Sequence, residues 1–298
     1  MIIRIKIFRN KNSFMEESTY REKFNLLNLI LIAVVSVVVG NLIFASIFGH
    51  YFNRSLPEDS TLEELEDCSV IGISLRGVLL TYIPDHSEND SSFDHNVVAS
   101  ESIIQSIKQA NQDEKIKAIV VEVDSSGGLP VAGEEIATAI GNSDKPVVAL
   151  IRQIGASASY WAISSADRIF ASKNSDVGSI GVTSSYLSGE EKNKKDGYTY
   201  EQLSVGKFKD SGSPDKTLTK EEKSLFLRDI NIVYNNFIET VSKNRRISID
   251  EVKSFADGST VLGERAKSLG LIDEIGGIGD VERYIEGKIG EKPEICWY

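Results

Sequence analysis

The sequence predicts an α/β fold with a mainly parallel sheet, joined to one N-terminal transmembrane helix. Three observations carry this reading. Strand-like and helix-like runs alternate from Cys68 onward, the run at residues 116–123 (IKAIVVEV) is almost continuously apolar, and residues 26–48 hold no charged side chain. Strands alternating with helices imply βαβ units with helices on the faces of a parallel sheet. A continuous β-prone apolar run fits a strand buried on both faces. A helix needs about 20 mostly apolar residues to cross a bilayer core.

Residues 1–24 hold six Lys or Arg and three Glu, a net +3 in a chain whose net charge is −11. A basic N-terminal flank favours an N-inside orientation, so this segment is expected in the cytoplasm. Residues 25–50 are the expected anchor. A cleavable signal peptide is the rival, but its apolar region is usually about 7–15 residues and ends in a small-x-small site. Phe44 and Ile47 fit poorly around Ala45-Ser46, so an uncleaved anchor is preferred. Residues 51–67 are polar and acidic and read as a linker. The folded domain is expected over residues 68–298, outside the cytoplasm.

Within that domain, residues 69–80 read as a strand interrupted at Arg76-Gly77. Residues 96–110 have helical spacing through Val97, Ile103, Ile104 and Ile107. After the buried strand at 116–123, a turn is expected at 124–128 (DSSGG) and a helix over 131–140. A strand at 146–151, a loop at 152–157, a helix over 157–165 and a short strand at 168–171 follow. Thr219 with Glu222 is a capping-box signature. It opens a long helix over 219–244, whose stripe of Leu225, Phe226, Ile230, Val233, Phe237, Ile238 and Val241 is expected to pack on the sheet or a neighbouring subunit.

Composition narrows the chemistry. The acidic balance argues against a general nucleic-acid binder, which carries a basic face. Cys68 and Cys296 lack metal-ligand spacing and are too few for a disulfide framework. Two idle thiols are favoured over a single bridge, and no metal or cofactor is expected. The three histidines are His50, His86 and His95. Catalysis further along the chain therefore needs another base.

Parallel sheets carry their chemistry in loops at the strand C-terminal ends, which singles out 124–130 and 152–157. Gly127-Gly128 lets the backbone approach a ligand closely and suits an oxyanion hole, although most such pairs are only turns. In the stretch 155–161 (GASASYW), Ser157 and Ser159 compete as nucleophile, and a serine opening a helix is more often an N-cap. Residues 206–210 (GKFKD) are, by themselves, a surface loop with two lysines.

Taken together, these segments resemble the signal peptide peptidase A family, bacterial membrane-bound peptidases with the Clp/crotonase type of fold, built from ββα repeats. That family's Ser-Pro-Gly-Gly turn is here Ser125-Ser126-Gly127-Gly128. Its nucleophile segment is here Ala156-Ser157-Ala158-Ser159-Tyr160-Trp161, running on to Ala166-Asp167. A Gly-Ser-Ile-Gly-Val motif stands intact at 178–182, the base segment is Gly206 to Asp210, and Ala256-Asp257-Gly258 with Gly270-Leu271-Ile272-Asp273 matches the tail. The resemblance implies Ser157 as nucleophile, Lys209 as general base with Lys207 non-catalytic, and Ser179 as the serine that hydrogen-bonds the lysine. It further implies an oxyanion hole from the N–H groups of Gly128 and Ala158. Serine stands at 126 in place of the turn proline, alanine follows the nucleophile, and Trp161 replaces a tyrosine.

A lysine base must be neutral, and its free pKa is near 10.4. Burial lowers it, by about 3–5 units when complete, and Ser–Lys pairs are a known variant of the serine hydrolase arrangement. The expected function is a membrane-anchored serine endopeptidase, cleaving signal peptides or other short peptides. A homo-oligomeric ring is expected because the family closes into rings. A non-catalytic, membrane-tethered peptide-binding scaffold is the alternative. An acyl-CoA enzyme on the related fold ranks last, because it explains neither the anchor nor Ser157 and Lys209.

Overall fold

The computed structural model describes residues 68–83 and 97–297. The expected cytoplasmic segment, the anchor at 25–50 and the linker lie outside these residues. Among the described residues no helix is long and apolar enough to cross a membrane.

The domain opens with β1 (Val70–Leu80), β2 (Val97–Ala99) and α1 (Ser100–Gln112). Then come β3 (Ala118–Gly128), α2 (Pro130–Gly141), β4 (Val147–Ala156) and α3 (Ala158–Ile163). Two short strands follow, β5 (Arg168–Ala171) and β6 (Asp176–Gly178), and then α4 (Glu190–Lys195) and the long α5 (Lys220–Arg245). The chain closes through α6 (Ile249–Phe255), β7 (Thr260–Leu262), α7 (Gly263–Ser268), β8 (Glu274–Ile275), α8 (Ile278–Ile289) and β9 (Ile295–Trp297). Strand order is β2-β1-β3-β4-β5-β8, with every neighbouring pair parallel. The predicted mixed α/β fold with a mainly parallel sheet is thus observed, and β6–β7 is the antiparallel pair.

Side chains of β3 alternate between two cores, which is why its sequence is apolar at nearly every position. Ile119, Val121 and Val123 enter the larger core with Ile103, Ile136, Trp161 and Phe237. Ala118 and Val120 enter the smaller one, closed by Val281 and Ile285 of α8. Toward the strand C-terminal ends this second face turns polar. Glu122 is buried there between Arg76 of β1 and Arg152 of β4, the latter at 2.6 Å.

Three expectations are corrected. Residues 124–128 and 152–156 are not loops: β3 runs on to Gly128 and β4 to Ala156. Register shifts after Arg76 and after Val123 re-aim these ends while the pairing continues, as bulges do. The helix predicted from 96 starts at Ser100, because Val97–Ala99 pair with Val78–Leu80. Finally, the cysteines are not idle thiols. Cys68 and Cys296 form a disulfide, their Cα atoms 5.9 Å apart. Parallel pairing of β9 with β1, Val70 opposite Ile295, brings together residues 228 apart in sequence.

The Thr219–Glu222 capping box opens α5 as predicted. Its stripe divides: Phe237, Ile238 and Val241 are buried, whereas Leu225, Phe226, Ile230 and Val233 are only half-buried. The second half of α5 packs on the domain core, and the first half keeps part of its apolar face open.

Candidate active site

Ser157 is the single residue between β4 and α3. Its backbone has φ 54° and ψ −128°, a conformation costly for any residue with a Cβ. Such a sharp strand-to-helix turn pushes a side chain out of the sheet, as at the nucleophile elbow of α/β-hydrolases. The Ser157 N–H donates to the Gly178 carbonyl at 2.7 Å, which fixes the turn. The hydroxyl caps nothing, although the residue occupies the N-cap position. It opens instead on a cavity of about 530 Å³, whose lining includes Gly128, Ala158, Trp161 and Ser179.

Both residues whose N–H groups are expected to form the oxyanion hole therefore border the same cavity as Ser157. Their approach depends on glycine. Gly127 has φ 109°, and a Cβ there would stand 2.8 Å from the Ser157 Cβ and 3.0 Å from the Ala158 nitrogen. A Cβ on Gly128 would collide with the Leu79 carbonyl oxygen on β1. The end of β3 is pressed between β1 and the Ser157 turn.

The choice between the two serines now has a geometric basis. Ser159 is fully buried. Its hydroxyl accepts from the Ala156 N–H at 2.9 Å and faces the carbonyl oxygens of Ser125 and Ala156 at 2.7 and 2.8 Å. It has no access to a substrate. Ser179 borders the cavity and also has a positive φ, 49°. Its hydroxyl donates to the Gly258 carbonyl at 2.8 Å, and its N–H to the Ser259 carbonyl at 3.1 Å. The loop 256–259 is thereby tied to the cavity rim.

Comparison with known proteins identifies the family. Residues 139–288, half of the chain and inclusive of Ser157, Ser179 and Lys209, match the model described as peptidase family S49. A putative protease of Methanocaldococcus jannaschii is 34% identical over 217 residues, covering 72% of this chain and 70% of that one. The chain belongs to peptidase family S49.

Two further relatives of this serine protease were found. Protease 4 of Haemophilus influenzae is 30% identical over 69% of this chain and 34% of its own length. A putative signal peptide peptidase of Enterococcus faecium is 28% identical over 76% of this chain and 65% of its own. The chain thus spans about a third of the first and just under two thirds of the second.

The lysines of the peptidase are not gathered at Ser157. Lys209 is exposed, in a turn closed by its N–H on the Gly206 carbonyl at 3.1 Å, and it does not line the cavity. Lys207, two residues earlier, pairs with Glu221 in the first turn of α5 at 3.0 Å. The cavity touches α5 from Ile230 to Phe237. At about 1.5 Å rise per residue, these contacts lie roughly 14–24 Å along the helix from Glu221. Lys216 is committed to Glu222 at 2.7 Å and Asp210 at 3.2 Å. The hydrogen bond to Glu222 holds its pKa above the usual lysine value, despite opposing burial. Burial lowers the pKa of Lys145, but that side chain donates to the Ala110 and Asp113 carbonyls at the end of α1.

The cavity wall was only partly legible. Ile230, Asn231, Tyr234 and Phe237 line it from α5, a helix whose stripe reads simply as packing. Trp161 stacks on Phe237, ring centroids 4.6 Å apart and planes 9° from parallel. This flat apolar wall beside polar Ser157, Ser179 and Asn231 suits a peptide side chain next to a reacting carbonyl. Among the described residues no group of His, Cys, Asp and Glu side chains is arranged to hold a metal ion.

Proposed function

We propose that this peptidase is membrane-anchored and cleaves signal peptides or other short peptides through an acyl-enzyme on Ser157. The observation that carries the proposal is the Ser157 turn. It gives a hydroxyl on a constrained strand-to-helix junction, uncapped, opening on a cavity that Gly128 and Ala158 also line.

The chemistry follows from these groups. The Ser157 oxygen attacks the peptide carbonyl carbon while neutral Lys209 takes the hydroxyl proton. The Gly128 and Ala158 N–H groups stabilise the oxyanion, an interaction worth a factor of about 10²–10³ per donor. The lysine then protonates the leaving amine. Water, deprotonated by the same lysine, hydrolyses the ester and restores Ser157.

Lys209 is exposed in the single chain, so the desolvation a lysine base requires must come from something packed over it. The reading therefore joins catalysis to a homo-oligomer, in which the 206–210 turn of one copy lies over the Ser157 cavity of the next. Its support is the surface around that turn: Leu203 and Val205 are 93% and 98% exposed, and Tyr198 is also open to solvent. Apolar side chains so exposed and so close in sequence mark an association surface. Ser179, at the cavity rim with its hydroxyl proton given to Gly258, keeps an oxygen lone pair for an incoming ammonium or amine.

Support for the location comes from two ends of the chain. The uncharged segment at 26–48 with its basic flank favours an anchor with the N-terminus inside. The Cys68–Cys296 disulfide fits an oxidising compartment outside the cytoplasm. Membranes from cells expressing the full chain provide the test. The protein is expected to resist alkaline carbonate extraction, and the domain to be digested by protease added from the extracytoplasmic side. Cleavage of a synthetic signal peptide by the detergent-solubilised protein, lost in Ser157→Ala and in Lys209→Ala, completes it. Cleavage that persists in Lys209→Ala would remove the dyad from this reading.

A further inference from the structure

The β3–β4 ladder ends at the pair Ser125–Gly155. Both oxyanion donors lie beyond that pair, at Gly128 on one side and Ala158 on the other. Past the end of the ladder a second fastening takes over, made of two buried hydroxyls. The Gly127 N–H donates to the Ser125 hydroxyl at 3.1 Å, which donates to the Gly77 carbonyl at 2.6 Å, where β1 has its own register shift. The Ser125 carbonyl faces the Ser159 hydroxyl at 2.7 Å, and that hydroxyl accepts from the Ala156 N–H. Ser125 is 1% exposed and Ser159 fully buried. The chain of bonds runs from the β1 bulge through the glycine turn to the residue before Ser157.

We infer that Ser159 is a positioning residue for the oxyanion hole: its hydroxyl bridge to the Ser125 carbonyl holds the Gly128 N–H at its working distance from Ser157 and the Ala158 N–H. This rests on the reading of Ser157 as nucleophile and of the two N–H groups as the hole. The bridge has a specific reason to exist here. Ser126 stands where the resembled turn motif has proline, is exposed, and has no register partner in β1 or β4. A proline would restrict the turn by fixing φ near −65°; this chain ties the same turn from the side instead. Ser159→Ala leaves the buried Ala156 N–H without its acceptor and frees the Ser125 carbonyl. The two donors then drift relative to each other, while the substrate-contacting walls formed by Trp161, Tyr234 and Phe237 are untouched.

The test uses the full-length protein in detergent, with a cleavable peptide and a peptide boronate that mimics the tetrahedral intermediate. Ser159→Ala is expected to lower kcat about 10- to 100-fold, as misplacement of a reacting group does. KM should stay within about twofold, and boronate affinity should fall by a factor similar to that in kcat, since both report the transition state. Ser126→Pro in the Ser159→Ala background is expected to restore kcat and boronate affinity, because it fixes the same turn covalently. Unchanged kcat in Ser159→Ala overturns the inference. So does a double variant that regains thermal stability without regaining kcat. If Ser159→Ala alone does not fold, the folded double variant carries the test, and a kcat still down more than tenfold overturns it. Labelling of wild type by a fluorophosphonate separates the two levels. No label on Ser157 sinks the nucleophile reading and this inference with it. A labelled wild type with an unaffected Ser159→Ala sinks the inference alone.

Discussion

Gly127 and Ser157 share a boundary that a side chain on the glycine would breach: a Cβ at 127 would stand 2.8 Å from the Ser157 Cβ, with the Ala156 oxygen at 2.9 Å. Gly127 also has φ 109°, where residues with a Cβ are strained. Gly127→Ala is therefore expected to separate the glycine turn from the Ser157 turn. Peptide cleavage should fall at least about 100-fold, with a stability loss of about 1–3 kcal/mol. Steady-state kinetics with a thermal melt checks this. Retained kcat would mean that the two turns need not touch.

Glu122 ties three strands just before they reach the site. Burial pushes its carboxyl pKa up, but hydrogen bonds and charge from Arg76 and Arg152 more than offset this, leaving it below the ordinary value. A pKa lowered by folding contributes stability above the unfolded value of about 4.3, and loses it as pH falls through the lowered one. Glu122→Gln is expected to cost about 1–3 kcal/mol at pH 7. The gap to wild type should narrow as pH drops below about 4. Denaturant unfolding at pH 7 and pH 3 measures it, and an undiminished gap at pH 3 would contradict the ion cluster.

The Cys68–Cys296 bridge closes nearly the whole described domain on itself, its ends 228 positions apart in sequence. Loss of so long a closure is expected to cost about 3–5 kcal/mol, chiefly through the unfolded chain. A reductant should lower Tm by several degrees in wild type and have no effect on a Cys68→Ala/Cys296→Ala double variant. Equal response of both to reductant would argue that the bridge does not form.

How far the sequence carries depends on whether a signal is local. The apolar run at 116–123 and the Thr219–Glu222 cap each depend on neighbours in sequence, and both appear as read. The β9–β1 pairing that joins the cysteines depends on contacts more than 200 residues apart, which no local pattern announces. The same holds at the site. Ser157, Gly128 and Ala158 are brought together as the motifs imply, because they flank two adjacent strand ends. Ser159 reads as a rival nucleophile until its burial and partners are known. Lys209 lies on a turn near the start of α5, away from the part of that helix that lines the cavity, and the role proposed for it rests on how copies of the chain meet, which a single subunit's sequence does not encode locally.

That dependence is itself testable by mixing inactive copies. If Lys209 of one copy serves Ser157 of the next, oligomers co-assembled from equal amounts of Ser157→Ala and Lys209→Ala should regain activity. Random head-to-tail assembly gives about a quarter of sites with both groups intact. Cleavage measured after co-expression should approach that fraction. Complete inactivity of a demonstrably mixed oligomer would place the two groups in the same copy.

The central claim is that Ser157 is the nucleophile. The most direct measurement is fluorophosphonate labelling of the full-length protein, with the modified residue located by peptide mass spectrometry. The account predicts a single adduct on Ser157, unchanged in amount by adding unlabelled Ser157→Ala protein and absent from that variant itself. An adduct on Ser159, or labelling that survives Ser157→Ala, would contradict it.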